Sequence, residues 1–509
     1  MMYLVTPKQM KFLEAAADKS GNTYEILMEN AGKKLAENMF KIYCSMQKKP
    51  EIIFLCGNGN NAGDCFVAAR YLSGYGIRSV MAMLCGEPKT ELAKLNFKRM
   101  TEAEVLTEKD TIINCLSAEG EKLIADGVFG TGFHGELSDE IKEIFSAASA
   151  NGTVVAVDVP SGGNCLDGSV SDGTMKASYT YTFAFEKFGM SQYPLKSYCG
   201  KIQTEDIGIS EKFVSQLERR IIKTEKELAV SLIPEKKPDA HKGNFGRLLI
   251  VCGSETMPGA CIMSALAAGR TGVGLLQTAS TEKVLSAISQ MLPESMQLPL
   301  TADENGFISA DNFEKIMKVS EKATAVLIGC GIGVDENTKK LVKKLIENLN
   351  CPVILDADGI NCISDSIDII KEKKSSIILT PHPAEMGRLC GKSAAQVQSD
   401  RLGTATEFSE RYDAVTVLKG AGTIVSYGDT VYVNQTGNPG MGKGGSGDVL
   451  SGIIASLAAQ GISPAEAAAL GVFVHGIAGD LAAEEKTMQC MTATDIIAML
   501  PKAFGMLTD

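Results

Sequence analysis

Short unbroken apolar runs, each closing on Gly, Asn or Asp, alternate with segments of helical period over the first 210 residues. EIIFLCG (51–57), IRSVMAML (77–84), KLIADGVFG (122–130) and TVVAVDVPSG (153–162) read as strands covered on both faces, since a half-exposed strand would alternate polar with apolar. CFVAARYLSGYG and SDEIKEIFSAASANG lie between them and read as helices. Ahead of the first strand, NTYEILMENAGKKLAENMF sets Leu27, Ala31, Leu35 and Met39 on one helical face, with Asn22 or Thr23 as cap. Strand–helix alternation predicts a parallel sheet with helices on both faces.

The alternation restarts near residue 240. RLLIVCGS, ATAVLIGCGIG, PVILDADGIN, SIILTPHPAE and AVTVLKGAGTIV predict strands, YGD at 427–429 predicts a hairpin turn before TVYVN, and an Ala-rich helical stretch runs from Gly447. Residues 211–238 are charged and carry Pro234 and Pro238. The expected domains are therefore α/β units over 1–212 and 239–509, joined by a linker over 213–238.

Composition changes this picture little. A length of 509 residues gives a prior of about three domains, which the pattern reduces to two. The chain is 45% hydrophobic and 22% charged, too apolar for disorder. Its 50 basic against 61 acidic residues give a net charge of −11, which argues against broad binding to nucleic acid or an anionic membrane. One phosphorylated ligand in a local cradle of N–H groups remains compatible with that charge. Fourteen cysteines are scattered with no CxxC pair and no zinc spacing; Cys56, Cys115, Cys252 and Cys330 fall in apolar runs. Reduced, buried thiols in a cytoplasmic protein are the expectation. The N-terminus has no signal-peptide core, and the apolar stretch Ala467–Ala483, interrupted by His475 and Asp480, reads as a buried helix rather than a membrane span.

Candidate chemistry gathers at strand ends. In CGNGNNAGD (56–64), Gly57, Gly59 and Ala62 fit a dinucleotide-binding turn. The acidic residue expected after the next strand is missing, Glu87 coming late, so a simple tight βα turn stays open. Asn60, Asn61 and Asp64 crowd that turn, and Asp126, Asp158 and Ser161 end two further strands. Ligands of open α/β sheets bind at such ends. Asn61, Asp126 and Ser161 together offer one carboxylate and neutral oxygens, a donor set suited to a monovalent cation. In the second half, GNPGMGKGGSGDVLSG (437–452) is not a P-loop, because Gly444 stands where the Ser or Thr must be. GGSGD (444–448) opening a helix forms an anion hole, and Asp448 is placed to take a proton from a substrate hydroxyl. His382, fixed between Pro381 and Pro383, is a ligand-binding candidate; His475 reads as core. Asp356 and Asp358 end a strand and would organise magnesium or order the site, or merely form a turn.

LMENAG (27–32), NNAGD (60–64), ADGVFGTGF (125–133) and VDVPSG (157–162) resemble the NAD(P)H-hydrate epimerase family. HKGNFGRLLIVCGS (241–254), GCGIG (329–333), LDADGIN (355–361), LTPHPAEMGRL (379–389), LKGAGT (418–423) and MTATD (491–495) resemble the ADP-dependent NAD(P)H-hydrate dehydratases. The resemblance implies an N-terminal Rossmann-like three-layer domain and a C-terminal ribokinase-like α/β domain. It implies that the first holds the hydrate with Asn60, Asn61, Ala62, Gly63, Asp64, Gly130, Thr131, Gly132, Phe133 and Asp158, and a potassium ion with Asn61, Asp126 and Ser161. Asp158 would handle the proton as the C6 configuration inverts. The second would bind ADP through Lys419, Gly420, Ala421, Gly422, Thr423 and Gly447, and the hydrate through Ala260, Gly331, His382 and Asp448. Asp448 would be the base, the N–H groups of 445–448 would stabilise the transferring phosphoryl group, and Mg²⁺ would shield it.

The implied cycle interconverts R and S hydrates and dehydrates the S form, consuming ADP and giving AMP and phosphate. Partners implied are NAD(P)H hydrates and ADP or AMP, with a homo-oligomeric chain and neither nucleic acid nor membrane. The chain departs from the pattern at Ala62 and Cys65 (NNGGDG is usual), Gly163 (PSGLN), Ser446 (Thr) and Ala384 (PHPGE). The alternative is a ribokinase-like small-molecule kinase with a non-catalytic N-terminal binding domain.

Overall fold

A computed structural model describes residues 1–100, 102–235 and 237–508. It divides into two compact units, Tyr3–Ile221 and a second running from Ile222 with Met1–Met2. The division falls within the expected linker, much of which is folded. Arg220–Thr224 is a strand, Lys226–Leu232 a helix, and Ala229 is buried in the core of the second unit. Apolar residues spaced among the charges give those elements an inward face.

In the first unit seven strands form one parallel sheet: β1 (Glu51–Cys56), β2 (Ser79–Met83), β3 (Glu104–Leu106), β4 (Lys122–Gly127), β5 (Gly152–Val157), β6 (Tyr179–Phe183) and β7 (Lys201–Glu205), ordered β3-β2-β1-β4-β5-β6-β7. Alternate residues of β1 serve opposite cores, Ile52 and Phe54 on one face and Ile53 and Leu55 on the other, so both faces are covered. The register pairs Leu55 with Asp126 and Asp126 with Ala156. It thereby sets the turns after β1, β4 and β5 side by side.

Helices α1 (Pro7–Lys19) and α2 (Tyr24–Ser45) precede β1, and α3 (Asn60–Gly74) follows it. Of the two candidate caps for α2, Thr23 serves, its Oγ1 accepting from Ile26 N at 3.4 Å, while Asn22 donates to Gly208 O at 2.6 Å. Leu27, Ala31, Leu35 and Met39 are buried as the pattern required, each large side chain contributing roughly 1.5–3 kcal/mol. Near the N-terminus, Leu4 and Val5 pair with Glu186 and Lys187.

The second unit carries β8 (Arg247–Val251), β9 (Leu275–Thr281), β10 (Met296–Leu300), β11 (Ala325–Ile328), β12 (Val353–Leu355), β13 (Ile377–Leu379), β14 (Val415–Leu418), β15 (Ile424–Tyr427) and β16 (Thr430–Asn434), ordered β10-β9-β8-β11-β12-β13-β14-β15-β16. Pairing is parallel through β14 and antiparallel beyond it. The single strand expected over AVTVLKGAGTIV is in fact two. Gly420 and Gly422, at φ 141° and 70°, reverse the chain between β14 and β15. YGD forms the expected turn, with Gly428 at φ 57°.

Helices α4 (Pro258–Arg270), α5 (Pro383–Cys390), α6 (Ser446–Ala459), α7 (Pro464–Cys490) and α8 (Ala493–Thr508) complete the site-bearing frame. The apolar window of α7 is long enough to cross a bilayer, yet 78% of it is buried inside the protein. It is a core helix, as its His475 and Asp480 implied. All fourteen cysteines are free; Cys115 is only half-buried and Cys44 and Cys490 are exposed.

Candidate active sites

The first site is a cavity of about 660 Å³ at the C-terminal ends of β1, β4 and β5, a size that suits a small-molecule ligand. Of the residues expected from sequence, Asn60, Asn61, Asp64, Gly130, Thr131, Gly132, Phe133 and Asp158 line it. Ala62 and Gly63 do not. They sit inside α3 facing the core, where Ala62 is fully buried and a Cβ on Gly63 would meet the Met28 side chain at 2.7 Å. Ala62 is helical with no positive φ, so its methyl group strains nothing. Cys65 is buried against Gly127, and Gly163 lies under Leu195.

Asp126 and Ser161 lie behind the cavity wall, and Asn61, which lines the cavity, joins them through the backbone of Phe129. Asp126, only 1% exposed, accepts from Ser161 N at 2.8 Å and Val128 N at 3.5 Å. Ser161 Oγ accepts from Phe129 N at 2.8 Å, and Asn61 Nδ2 donates to Phe129 O and Val157 O at 3.0 and 3.1 Å. Burial pushes the Asp126 carboxyl up to about 6, against the pull of its hydrogen bonds. A buried lone carboxylate among neutral oxygens, with no basic side chain paired to it among the described residues, fits one monovalent cation.

Asp158 follows β5 with φ 66°, in the left-handed region that Asp tolerates better than most residues. Its Oδ1 accepts from Phe183 N and Thr182 Oγ1, both at 3.0 Å, and from Lys187 Nζ. Lys187 has a fully buried side chain and also donates to Thr182 Oγ1 at 2.9 Å and Phe183 O at 3.0 Å, so its three protons are placed. Asp64 and Glu14 share the cavity with this pair. Burial raises both carboxyls, and the Asp158 charge raises them further. The sequence reading missed Lys187, Glu14 and His134, which also lines the cavity and meets Gly132 O at 2.9 Å.

The second site is built on the ends of β11, β12, β13 and β14 and the start of α6. Asp356, 1% exposed, closes β12; its Oδ1 accepts from Lys419 Nζ at 2.8 Å and Thr380 Oγ1 at 2.7 Å, and its Oδ2 from Ser451 Oγ. Burial alone would raise this carboxyl, but Lys419 and the hydroxyls hold it below the usual range. Its duty is thus to anchor Lys419, and Asp358 takes Gly333 N at 3.0 Å. Lys419 starts the β14–β15 turn, and a Cβ on Gly447 would lie 3.4 Å from its Nζ. The turn and the N-terminus of α6 therefore adjoin.

Within that N-terminus Ser446 N bonds to Lys443 O at 3.3 Å, which removes it from the expected anion hole. The N–H groups of Gly447 and Asp448 have no acceptor among the described residues. Carboxylate oxygens of Asp356 and Asp448 and the Cys330 thiol lie within 4.8 Å of one another. Burial, then the Asp356 charge, pushes Asp448 up to about 6.

The remaining candidates surround this centre. A Cβ on Gly331 would come within 2.8 Å of Ala260 Cβ, so those two adjoin. His382 caps α5, its Nδ1 accepting from Ala384 N at 3.1 Å and Glu385 N at 3.3 Å. That assigns a neutral ring with its proton on Nε2, consistent with a pKa lowered chiefly by burial. Glu385 accepts from His382 N at 2.8 Å and lies 3.9 Å from Lys419 Nζ. Thr423 Oγ1 closes the turn onto Gly420 O at 2.8 Å.

Sequence reading also missed Arg401, whose buried guanidinium reaches Leu418 O at 3.1 Å and Lys419 O and Gly422 O at 3.4 Å and so props the turn from below. His475 is core, yet it sits 3.5 Å from Ser446 Oγ, and burial lowers it to about 4.

Gly329 shows how tightly β12 is held. Its φ is 127°, and a Cβ there would fall 2.1 Å from Asp356 O. Gly329→Ala is expected to cost about 2–4 kcal/mol by urea unfolding; a loss under about 0.5 kcal/mol would contradict this account of the contact.

The two units define a class: a Rossmann-like domain with a carboxylate-lined cavity, paired with an α/β domain whose Gly-rich helix N-terminus carries an aspartate. The family model for NAD(P)H-hydrate dehydratase matches residues 248–502, and that for the YjeF-related protein N-terminus matches 24–189. The bifunctional NAD(P)H-hydrate repair enzyme Nnr of Moorella thermoacetica is 35% identical over 98% of this chain and 96% of its own length. The enzyme of that name from Escherichia coli K12 is 33% identical over 96% and 91%. A ribokinase-like superfamily protein from Enterococcus faecalis is 27% identical with TM-score 0.50, covering 56% of this chain and 96% of that one. The chain belongs to the bifunctional NAD(P)H-hydrate repair enzyme family and has both of its enzyme domains.

Proposed function

We propose that the first unit interconverts the R and S hydrates of NADH and NADPH, and that the second restores the S hydrate to the reduced cofactor with ADP as phosphoryl donor. The observation that carries the second assignment is the meeting of Lys419, the open N–H groups of Gly447 and Asp448, and the Asp448 carboxylate at one helix start. Lys419 and the Gly420–Thr423 turn hold the phosphates, and helix N–H groups receive the charge of the transferring phosphoryl group. Ionised Asp448 takes the C6-hydroxyl proton, and the freed oxygen attacks the terminal phosphorus while AMP leaves. Phosphate then departs from C6 as a proton leaves C5, remaking the ring double bond. No thiol acts as a nucleophile.

His382, whose Nε2 lies 3.4 Å from Glu385 Oε1, would bind the hydrate together with Ala260 and Gly331. Mg²⁺ would come in on the nucleotide phosphates and neutralise their charge; Asp356 is committed to Lys419, which leaves Asp358 as the carboxylate nearby that, among the described residues, is neither the base nor ion-paired. In the first unit Asn61, Asp126 and Ser161 would hold K⁺, which would supply a fixed positive charge. Asp158, with Lys187 against it, handles the proton at C6.

The test mixes R and S NADH hydrates with ADP and Mg²⁺ and follows the absorbance of the reduced ring. Recovery of all the material with release of free phosphate is expected. Recovery of the S share alone would remove the epimerase assignment, and a stable phosphorylated product would make the second unit a kinase.

A further inference from the structure

We propose that Glu14 is the second acid–base group of the epimerase cavity, working with Asp158; the proposal rests on the epimerase reading above. Glu14 lies on α1 one turn beyond Met10, and both line the cavity. Met10, Leu13 and Ala17 are buried, so Glu14 falls on the inward face of an amphipathic helix, where an apolar residue is the rule. A half-buried carboxyl kept for structure would have a partner. Among the described residues the Glu14 carboxyl group has neither a hydrogen bond nor an ion pair. Asp158 is the opposite case, held by Phe183 N, Thr182 Oγ1 and the Lys187 ammonium.

Inverting C6 calls for two groups in opposite protonation states at the same moment. In the forward half, Asp158 carboxylate removes the C6-hydroxyl proton. The pair of the broken O–H bond forms the second C–O bond of a carbonyl, the C6–N1 bond breaks with its pair moving to N1, and N1 takes the Glu14 proton. The open form is an aldehyde. Rotation about C5–C6 presents its other face. N1 then gives its proton back to Glu14 and closes on the carbonyl carbon, and the oxygen recovers its proton from Asp158. Nothing is oxidised or reduced, and both acids end as they began. One group cannot serve as base and acid together, whereas a paired carboxylate and an unpaired, half-buried carboxylic acid can. Burial, then the Asp158 charge, raises the Glu14 carboxyl, which favours its acid form. The titratable groups facing it are Asp158, Asp64, Lys187, Lys11 and Tyr24, and His134 and Glu136 line the same cavity.

The experiment uses the full chain without nucleotide and follows conversion of pure R-NADH hydrate to S by chromatography across pH. Glu14→Gln is expected to lower kcat at least about thirtyfold with KM within about threefold. The bell-shaped pH profile of the wild type should lose one limb, and Glu14→Asp should recover part of the rate. An E14Q enzyme with an intact bell, or with a loss confined to KM, overturns the proposal. Should E14Q not fold, E14D carries the test: a limb displaced in pH supports the role, and an unmoved profile refutes it. If the wild type does not interconvert the epimers while D158N matches it, the epimerase reading itself falls.

Discussion

Asp448→Asn should lower ADP-dependent dehydration roughly 10²–10⁴-fold and, at the same time, make the second unit more stable at pH 8. The first effect follows from the loss of the carboxylate proposed to accept the hydroxyl proton at the start of α6. The second follows from where its carboxyl titrates. Burial and the Asp356 charge hold it at about 6, above the ~3.9 of an unfolded chain. The fold therefore binds this proton more tightly than the unfolded state does. Stability from this group is greatest at low pH and declines as pH rises from about 4 through about 6. Above that window the ionised carboxylate is a standing cost, which Asn removes, and with partial solvent access the gain is about 1–2 kcal/mol. The wild-type rate should fall as pH drops below about 6, because the base is then protonated. Urea unfolding at pH 5 and pH 8, beside dehydration rates, checks both arms. A variant within threefold of wild-type activity, or one equally destabilised at both pH values, would defeat the assignment.

Such opposition between stability and activity explains which parts of the site sequence alone could reveal. Asn61, Asp126 and Ser161 were legible because each follows a continuous apolar run, and parallel strands in register bring their ends together. Asp448 was legible because a carboxylate in a Gly-rich helix start makes no sense as a phosphate ligand. The structure separates what one motif had merged: in NNAGD, Asn60, Asn61 and Asp64 face the cavity while Ala62 and Gly63 face α2 and the core. A helix turning 100° per residue cannot point five neighbours one way.

Glu14 and Lys187 stayed hidden for another reason. One lies on a helix absent from the strand–helix count, the other on a two-residue strand. Only tertiary pairing carries them to Asp158. Arg401 was equally silent, because a buried arginine whose partners are carbonyls leaves no local pattern. The split of AVTVLKGAGTIV was readable in hindsight from its two glycines, but the apolar run on each side concealed it.

Lys419→Met is expected to cost the fold about 3–5 kcal/mol, the largest single loss of stability anticipated here, and to abolish nucleotide binding as well. Asp356 is 1% exposed and would keep its negative charge with no cation to meet it, only the Thr380 and Ser451 hydroxyls and the Cys330 thiol among the described residues. The deficit should shrink as pH falls. In the wild type Lys419 holds this carboxyl below its usual range, so the pair gives stability that persists above the unfolded pKa and is lost only as pH drops through the depressed one. Without Lys419 protonation of Asp356 brings relief instead. The double variant Asp356→Asn/Lys419→Met removes both charges and should regain at least half of the lost stability, since Asn can still bond both hydroxyls. It should regain no dehydratase activity: the ammonium beside Gly447 is then missing, and no neutral side chain can offset phosphate charge there. Urea unfolding and calorimetric ADP titration separate the outcomes. A single variant losing under about 1 kcal/mol, or a double variant no steadier than the single, would show that the Asp356–Lys419 pair does not organise this site.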